Sequence, residues 1–219
     1  MKPSLFAHPF ASYCQKVLIA LYENGTDFTY RQFGPEDPGA MTELEALWPL
    51  KKFPLLFDEG QTYVESSIII EHLAQRHPGP VQLIPSDPDA ALEARMMDRC
   101  FDNYVMTPMQ KIVADFIRAT GDRDPFGVRE ARLALDAAYG WLDGVMATRN
   151  WAVGVNFTLA DCAAAPALFY SDWVHEISEQ FPALRAYRRR LLSRPSVARA
   201  VDEARPYRNL FPPGAPNRD

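Results

Sequence analysis

The stretch KKFPLLFDEGQTYVESSIII, residues 51–70, decides how this chain is read. Its pattern changes period inside twenty residues. Leu55-Leu56-Phe57 and Thr62-Tyr63-Val64 are short strand-like runs on either side of Asp58-Glu59-Gly60, and the glycine there suits a tight turn. Together they predict a β-hairpin. From Ser66 the spacing becomes helical, with Ile69, Ile70 and Leu73 on one face of a helix predicted over Ser66 to Arg76. Pro54 stands where the first strand begins. Proline has no N–H to give a ladder, so it is either a trans edge residue or part of a cis turn. A cis turn would face the Phe53 amide and carbonyl outward, where an extended peptide could pair with them.

Upstream of this stretch, Ser4 to Ala7 reads as a strand that His8-Pro9 ends. Cys14 to Asn24 reads as a helix, with Asn24-Gly25 as its stop. Asp27 to Phe33 alternates as a second strand, and a short helix is predicted over Thr42 to Leu47. The order is βαβ, then the hairpin, then α. That implies one parallel strand pair and one antiparallel pair. Downstream, Pro78, Gly79, Pro80, Pro85 and Pro88 mark a connection. Helical periodicity then takes over, in segments Ala90 to Thr120 (kinked at Pro108), Gly127 to Thr148, Leu159 to Glu176, Leu184 to Ser193 and Ser196 to Ala204. The fold class is therefore α/β plus all-α. The expected domains are 1–80, a linker 81–89, and an all-helical 90–219. The Pro-rich end, Pro206 to Asp219, is either a solvated tail or a strap packed by Tyr207, Leu210 and Phe211.

Bulk properties exclude several classes. The chain has 219 residues, 47% hydrophobic and 23% charged, enough to bury a core without disulfides. A net charge of -5 gives no general attraction to nucleic acid or anionic membranes, so neither is an expected partner. The basic run Arg185, Arg188, Arg189, Arg190 and Arg194 reads as a solvated helix face. Cys14, Cys100 and Cys162 are an odd, widely spaced set, read as reduced thiols, and no Cys/His cluster has structural-zinc spacing. No metal is expected. The first residues lack the apolar run of a secretory signal, and no segment approaches the ~20 apolar residues that span a bilayer. The expected location is the cytoplasm.

Two spots carry groups suited to a small charged ligand. Ser66 opens a helix, so it is a candidate N-cap, yet the same unpaired amides and hydroxyl attract a carboxylate. The Glu65 carboxylate beside it would take an ammonium, and an amino-acid headgroup carries both charges. The turn Ala11-Ser12-Tyr13-Cys14 enters the first helix. Ser12 is an N-cap candidate, but a hydroxyl at a helix start can also hold a thiolate. Lowering a thiol pKa by about two units corresponds to ~2.7 kcal/mol in favour of the thiolate.

These residues carry a family resemblance. His8 to Leu21, HPFASYCQKVLIAL, resembles the opening of a cytosolic glutathione transferase. Trp48 to Pro54 is similar to that family's approach to its cis-proline, and Tyr63 to Ile69 to its Glu-Ser helix start. Asn156-Phe157-Thr158-Leu159-Ala160-Asp161 resembles its C-terminal capping box, in which a Thr and an Asp three residues on cap one helix reciprocally. As an ordered set the motifs span nearly the whole chain.

The resemblance to the glutathione S-transferase family (bacterial type) implies a thioredoxin-like domain followed by a helical domain, in a homodimer with a detoxification role. Glutathione, as co-substrate, would bind Phe53 (backbone), Pro54, Glu65, Ser66 and Ser12, with Lys52 a carboxylate partner. Tyr104, Met109 and Ile112 would line a pocket for a small hydrophobic electrophile, while Thr158 and Asp161 are structural. The activating position departs from the family pattern, because the Ser or Cys of relatives aligns with Ala11. Ser12 is the nearest replacement, with Tyr13 and the backbone amides also open. Cys14 aligns with the resolving, not the attacking, cysteine of the redox members. Conjugation to electrophiles is the leading activity. A non-catalytic binding or regulatory role, and glutathione-dependent reduction or isomerisation, are the alternatives.

Overall fold

Four short strands form a mixed sheet in the order β2-β1-β3-β4. They are β1 (Ser4–Ala7), β2 (Thr29–Gln32), β3 (Leu55–Asp58) and β4 (Gln61–Val64). The computed structural model describes residues 2–219. Strand β1 runs parallel to β2 with Leu5 opposite Tyr30, and antiparallel to β3 with Leu5 opposite Leu56. The β3–β4 hairpin turns at Glu59 (φ 50) and Gly60 (φ 81), so two left-handed residues close it. Leu5 and Leu56 are fully buried. Each such side chain contributes about 1.5–3 kcal/mol relative to an exposed one.

Around the sheet lie α1 (Ser12–Glu23), α2 (Ala40–Leu47) and α3 (Ser66–Arg76). Helix α1 begins two residues earlier than the apolar spacing predicts. The reason is local: the Ala11 N–H bonds the His8 carbonyl at 3.0 Å, and the Phe10 N–H bonds His8 Nδ1 at 3.2 Å. That turn leaves Ala11 as the N-cap, a residue with no capping side chain. At the other end Asn24 is the C-cap and also holds the connection. Its side chain bonds the Val81 N–H at 2.9 Å and the Val81 carbonyl at 3.2 Å. A Cβ at Gly79 would come within 2.4 Å of Asn24, so only glycine lets the chain pass there.

The helical part contains α4 (Pro88–Cys100), α5 (Thr107–Ile117), α6 (Pro125–Met146), α7 (Leu159–Val174), α8 (Pro182–Leu192) and α9 (Pro195–Ala204). The long helix predicted over Ala90 to Thr120 is interrupted, but not by a kink at Pro108. A π-helical segment, Phe101–Met106, separates α4 from α5. Pro108 falls in the first turn of α5, where a missing N–H costs nothing. Helix α7 is the centre of the molecule and is buried from Leu159 to Asp172. Its run of alanines lets α1 and α4 pack closely against it. Thr158 and Asp161 form the expected capping box.

One expectation needs correction, and one open alternative is decided. The run from Arg185 to Arg194 is not simply a solvated face. Arg188 pairs with Asp172 at 3.3 Å with its side chain mostly buried, and Arg194 Nε holds Glu23 at 2.8 Å while lying over Phe157. These arginines have buried carboxylates to meet, which a sequence pattern cannot show. The last residues form a strap rather than a tail. Tyr207 accepts a hydrogen bond from Gln32 at 2.7 Å, and Phe211 packs on Tyr170 and Trp173. Leu210, expected to help pack it, is exposed.

Candidate active site

Between the sheet-bearing part and the helical part lies a cleft of about 660 Å³. On the sheet side, Ala11, Ser12 and Tyr13 come from the β1–α1 turn, and Phe53, Pro54, Glu65 and Ser66 from the hairpin and the start of α3. Trp48, Lys52 and Val64 complete that wall. The ten residues expected to serve the site thus divide. Seven of them, Ser12, Tyr13, Lys52, Phe53, Pro54, Glu65 and Ser66, share one cleft. Tyr104, Met109 and Ile112 do not line it. Met109 and Ile112 are buried in the core, and the exposed Tyr104 borders a separate apolar groove with Trp141. The π segment resets the helical phase, so these apolar side chains turn away from the cleft.

The Phe53–Pro54 bond is cis. The ladder of β3 begins at Leu55, paired with Val64, so Phe53 lies outside the register. Glu65 adopts φ 66, ψ 115, a left-handed region that a residue with a Cβ enters at a cost of about 1–3 kcal/mol. It is the N-cap of α3 but makes no side-chain cap, and Ser66 is the first helical residue. The first intrahelical bond runs from the Ile69 N–H to the Glu65 carbonyl at 2.9 Å. The amides of Ser66, Ser67 and Ile68 therefore have no partner within the helix. Ser12 is the corresponding first residue of α1, and no side chain caps that helix either. Two helix starts, each with a serine, open on the same cleft.

The other wall is polar and was missed by the sequence reading. It consists of Arg99, Asp102, Asn103 and Gln110. Their spacing carries a signal, since 99, 102 and 103 share a helical face. Behind this wall sits a buried charge network. Lys16, on α1, has no exposed side-chain surface and reaches Asp98 Oδ1 at 2.5 Å and Asp102 Oδ2 at 2.8 Å. Its ammonium also donates to Ser67 Oγ at 2.8 Å, and Ser67 donates to Asp98 Oδ2 at 2.8 Å. Arg99 bonds Asp98, Asp102 and Ser67. Two cations balance two carboxylates, which is what lets such charges stay buried. Burial pushes the Asp102 carboxyl above the usual carboxylate range, although Lys16 and Arg99 pull against it.

Burial, reinforced by Asp102, pushes the Tyr13 hydroxyl up to about 12, so it remains a neutral donor at physiological pH. Cys14 is fully buried, and desolvation pushes its thiol up to about 12. A thiol held in that state is neither nucleophile nor metal ligand. Among the described residues one group of three could hold a metal, Asp58, His72 and His77. It lies at the far end of α3, away from the cleft.

Residues 5–81 match the family description "Glutathione S-transferase, N-terminal domain", and residues 107–195 match "Glutathione S-transferase, C-terminal domain". The chain belongs to the glutathione S-transferase family. It is 32% identical over 138 residues to FtsZ-localized protein A of Caulobacter vibrioides, an alignment that covers 60% of this chain and 60% of that one. It is 25% identical over 210 residues to a probable maleylacetoacetate isomerase of Caenorhabditis elegans, covering 94% of this chain and 95% of the other. Among solved structures, a glutathione S-transferase of Methylobacterium radiotolerans in complex with glutathione sulfonate matches with a TM-score of 0.79 at 29% identity, over 92% of this chain and 95% of that chain. The glutathione S-transferase fold, a thioredoxin-like domain followed by a helical one, thus accounts for both halves of this structure.

Proposed function

We propose that the cleft binds glutathione and delivers its thiolate to a small electrophile. The observation that carries this is the convergence of two uncapped helix starts, Ser12 on α1 and Ser66 on α3, with Glu65 and Phe53. The γ-glutamyl carboxylate takes the free amides and hydroxyl of Ser66, and its ammonium takes Glu65. The Phe53 amide and carbonyl pair with the peptide backbone, and Lys52 meets the far carboxylate. That places the sulfur toward the start of α1. There the Ser12 hydroxyl and the helix amides favour the thiolate, with neutral Tyr13 as a second donor. Arg99, Asn103 and Gln110 face apolar Trp48 and Val64 across the cleft, so a suitable electrophile has an apolar body and a polar or acidic substituent.

The match to a structure with glutathione sulfonate supports the binding half of this reading. Calorimetric titration with glutathione, followed by a panel of electrophiles, tests it. Failure to bind at millimolar glutathione overturns the reading. Thiolate chemistry without conjugation, as in an isomerase, uses the same subsite and is distinguished by the product.

A second reading rests on Ala11, which supplies no hydroxyl where relatives have one, and on similarity to a protein named for localisation with FtsZ. A binding or regulatory module keeps the glutathione cleft but has no turnover to lose. We further propose a homodimer in the cytoplasm. The groove bordered by Tyr104, Val105 and Trp141 is almost wholly apolar, and both aromatics are exposed in the single chain. No helix among the described residues is long and apolar enough to cross a membrane. Analytical ultracentrifugation checks the dimer, and Trp141→Glu should shift it toward monomer.

A further inference from the structure

Three donor groups meet at the end of α3, about 15 Å along that helix from Ser66 at 1.5 Å per residue. Asp58 closes β3, His72 lies in the second turn of α3, and His77 is its C-cap. His72 Nε2 stands 2.8 Å from Asp58 Oδ2, and His77 Nε2 stands 2.6 Å from the same oxygen. All three donor atoms lie within 4.8 Å of one another. In a continuous helix, residues five apart face different sides. His77 leaves helical geometry at φ -128, ψ 53, which is how its ring returns to the side of His72.

The cluster has two features that a simple hydrogen-bond brace does not require. The second carboxylate oxygen, Asp58 Oδ1, is buried and has no hydrogen-bond partner. The His72 ring is held by stacking on Tyr63, with centroids 3.7 Å apart and planes 24° apart, so its nitrogen is aimed in advance. Access is graded as well. The Asp58 side chain is fully buried, that of His72 is 8% exposed and that of His77 22% exposed, leaving one approach from solvent past His77.

We propose that Asp58, His72 and His77 form a binding site for one divalent transition cation of the zinc class. Two imidazoles and a carboxylate are a borderline donor set that suits zinc, with water as the fourth ligand. Tetrahedral donors at about 2.0–2.1 Å from zinc lie roughly 3.3 Å apart. Each His–Asp gap therefore opens by about 0.6 Å when the cation enters, within the reach of side-chain adjustment. Each imidazole would then bind through an unprotonated Nε2 and carry its proton on Nδ1. The bound cation ties the hairpin turn to the end of α3, and its water ligand can donate to Asp58 Oδ1. The site is independent of whether the cleft binds glutathione.

The test uses the full chain stripped with a chelator and then titrated with zinc chloride by calorimetry and with cobalt chloride by absorption. One cation per chain is expected, with visible cobalt bands of tetrahedral strength and no thiolate charge-transfer band. His77→Ala, at the partly exposed position, should weaken zinc at least about 100-fold, the upper range for loss of even a supporting group. Asp58→Asn, nearly the same shape, guards against a folding artefact and should weaken it similarly. His175→Ala, which removes the separate His175–Asp136 pair, should change nothing. A dissociation constant weaker than about 0.1 mM overturns the proposal. Binding that survives His77→Ala also overturns it, and the three residues are then a metal-free brace.

Discussion

Helices α7 and α1 begin in opposite ways. At the start of α7 the Thr158 hydroxyl accepts from the Ala160 N–H at 3.3 Å, and Asp161 Oδ2 accepts from the Thr158 N–H at 2.9 Å. Asp161 Oδ1 takes a further amide, from Ala152 at 2.9 Å, and the Tyr187 hydroxyl at 2.6 Å. Every strong donor there is met from within the chain, because no water reaches it. At the start of α1 an alanine occupies the cap, and α3 begins on a strained glutamate that caps nothing. The groups left free are chemically the same. What differs is that one helix start is sealed in the core and two open on a cleft. Free helix amides at the surface of a cleft are binding capacity; in a core they would be a defect.

The sharpest way to break the comparison is to uncap the sealed end. Asp161→Ala leaves the Thr158 and Ala152 amides and the Tyr187 hydroxyl buried without an acceptor. The expected loss is about 4 kcal/mol of unfolding free energy, combining a lost cap with unsatisfied buried donors. Denaturant unfolding measures it. Glutathione affinity of the folded fraction should not change, since the cleft lies elsewhere. If stability falls by less than about 1 kcal/mol, α7 does not depend on its cap in the way argued.

Ser12→Ala tests the open end and should invert the pattern. Stability should hold within about 0.5 kcal/mol, as for a substitution away from packing. Turnover should fall about 100-fold near neutral pH, the lower range for losing one donor to a developing anion. The sign of the pH effect discriminates. The hydroxyl favours the thiolate, so its removal raises the bound thiol's pKa by one to two units, and the acid limb of kcat/KM moves alkaline by that amount. A uniform loss at all pH values would assign Ser12 a structural part only.

Glu65→Gln addresses the second open end. It keeps the shape but removes the charge that meets the ammonium. Glutathione should bind about tenfold more weakly, ~1.4 kcal/mol, with the limiting rate unchanged. A fall in turnover without a change in affinity would mean that Glu65 acts on the thiol end instead.

This contrast also explains how far the sequence could be read. The hairpin, the bounds of α3 and the Thr158–Asp161 box follow from local chemistry, since turn residues, periodicity and capping are set within a few positions. The cleft's sheet-side residues follow because their motifs lie in two short segments. The polar wall follows only in part. The spacing of Arg99, Asp102 and Asn103 gives them a shared face, but the π segment Phe101–Met106 shifts the helical phase that follows Arg99, and that shift leaves no mark in apolar spacing. Lys16 gave no sign either, because a lysine on an amphipathic helix ordinarily reads as exposed. Only the tertiary meeting of α1 with Asp98 and Asp102 makes it buried. The histidines at 72 and 77 escaped for the same reason: their meeting depends on where α3 unwinds.

Tyr13→Phe should have the smallest effect and separates the two hydroxyls of the α1 turn. With burial pushing its pKa up to about 12, Tyr13 stays protonated throughout the range in which a glutathione thiol titrates. It supplies no inflection of its own there; as the second donor to the thiolate, its removal should move the acid limb of kcat/KM alkaline by less than the Ser12→Ala shift, with a modest drop in rate. The linkage appears at high pH. The unfolded chain loses the tyrosine proton near 10 and the folded chain near 12, so between those values the folded state binds more protons. Stability must therefore fall as pH rises through that window, and replacing Tyr13 by Phe removes its share of the fall. Unfolding measured at pH 8 and again near pH 11 should show a shallower alkaline loss in the variant. An acid limb that moves further than in Ser12→Ala would transfer the activating role from Ser12 to Tyr13, and with it the meaning of the alanine at position 11.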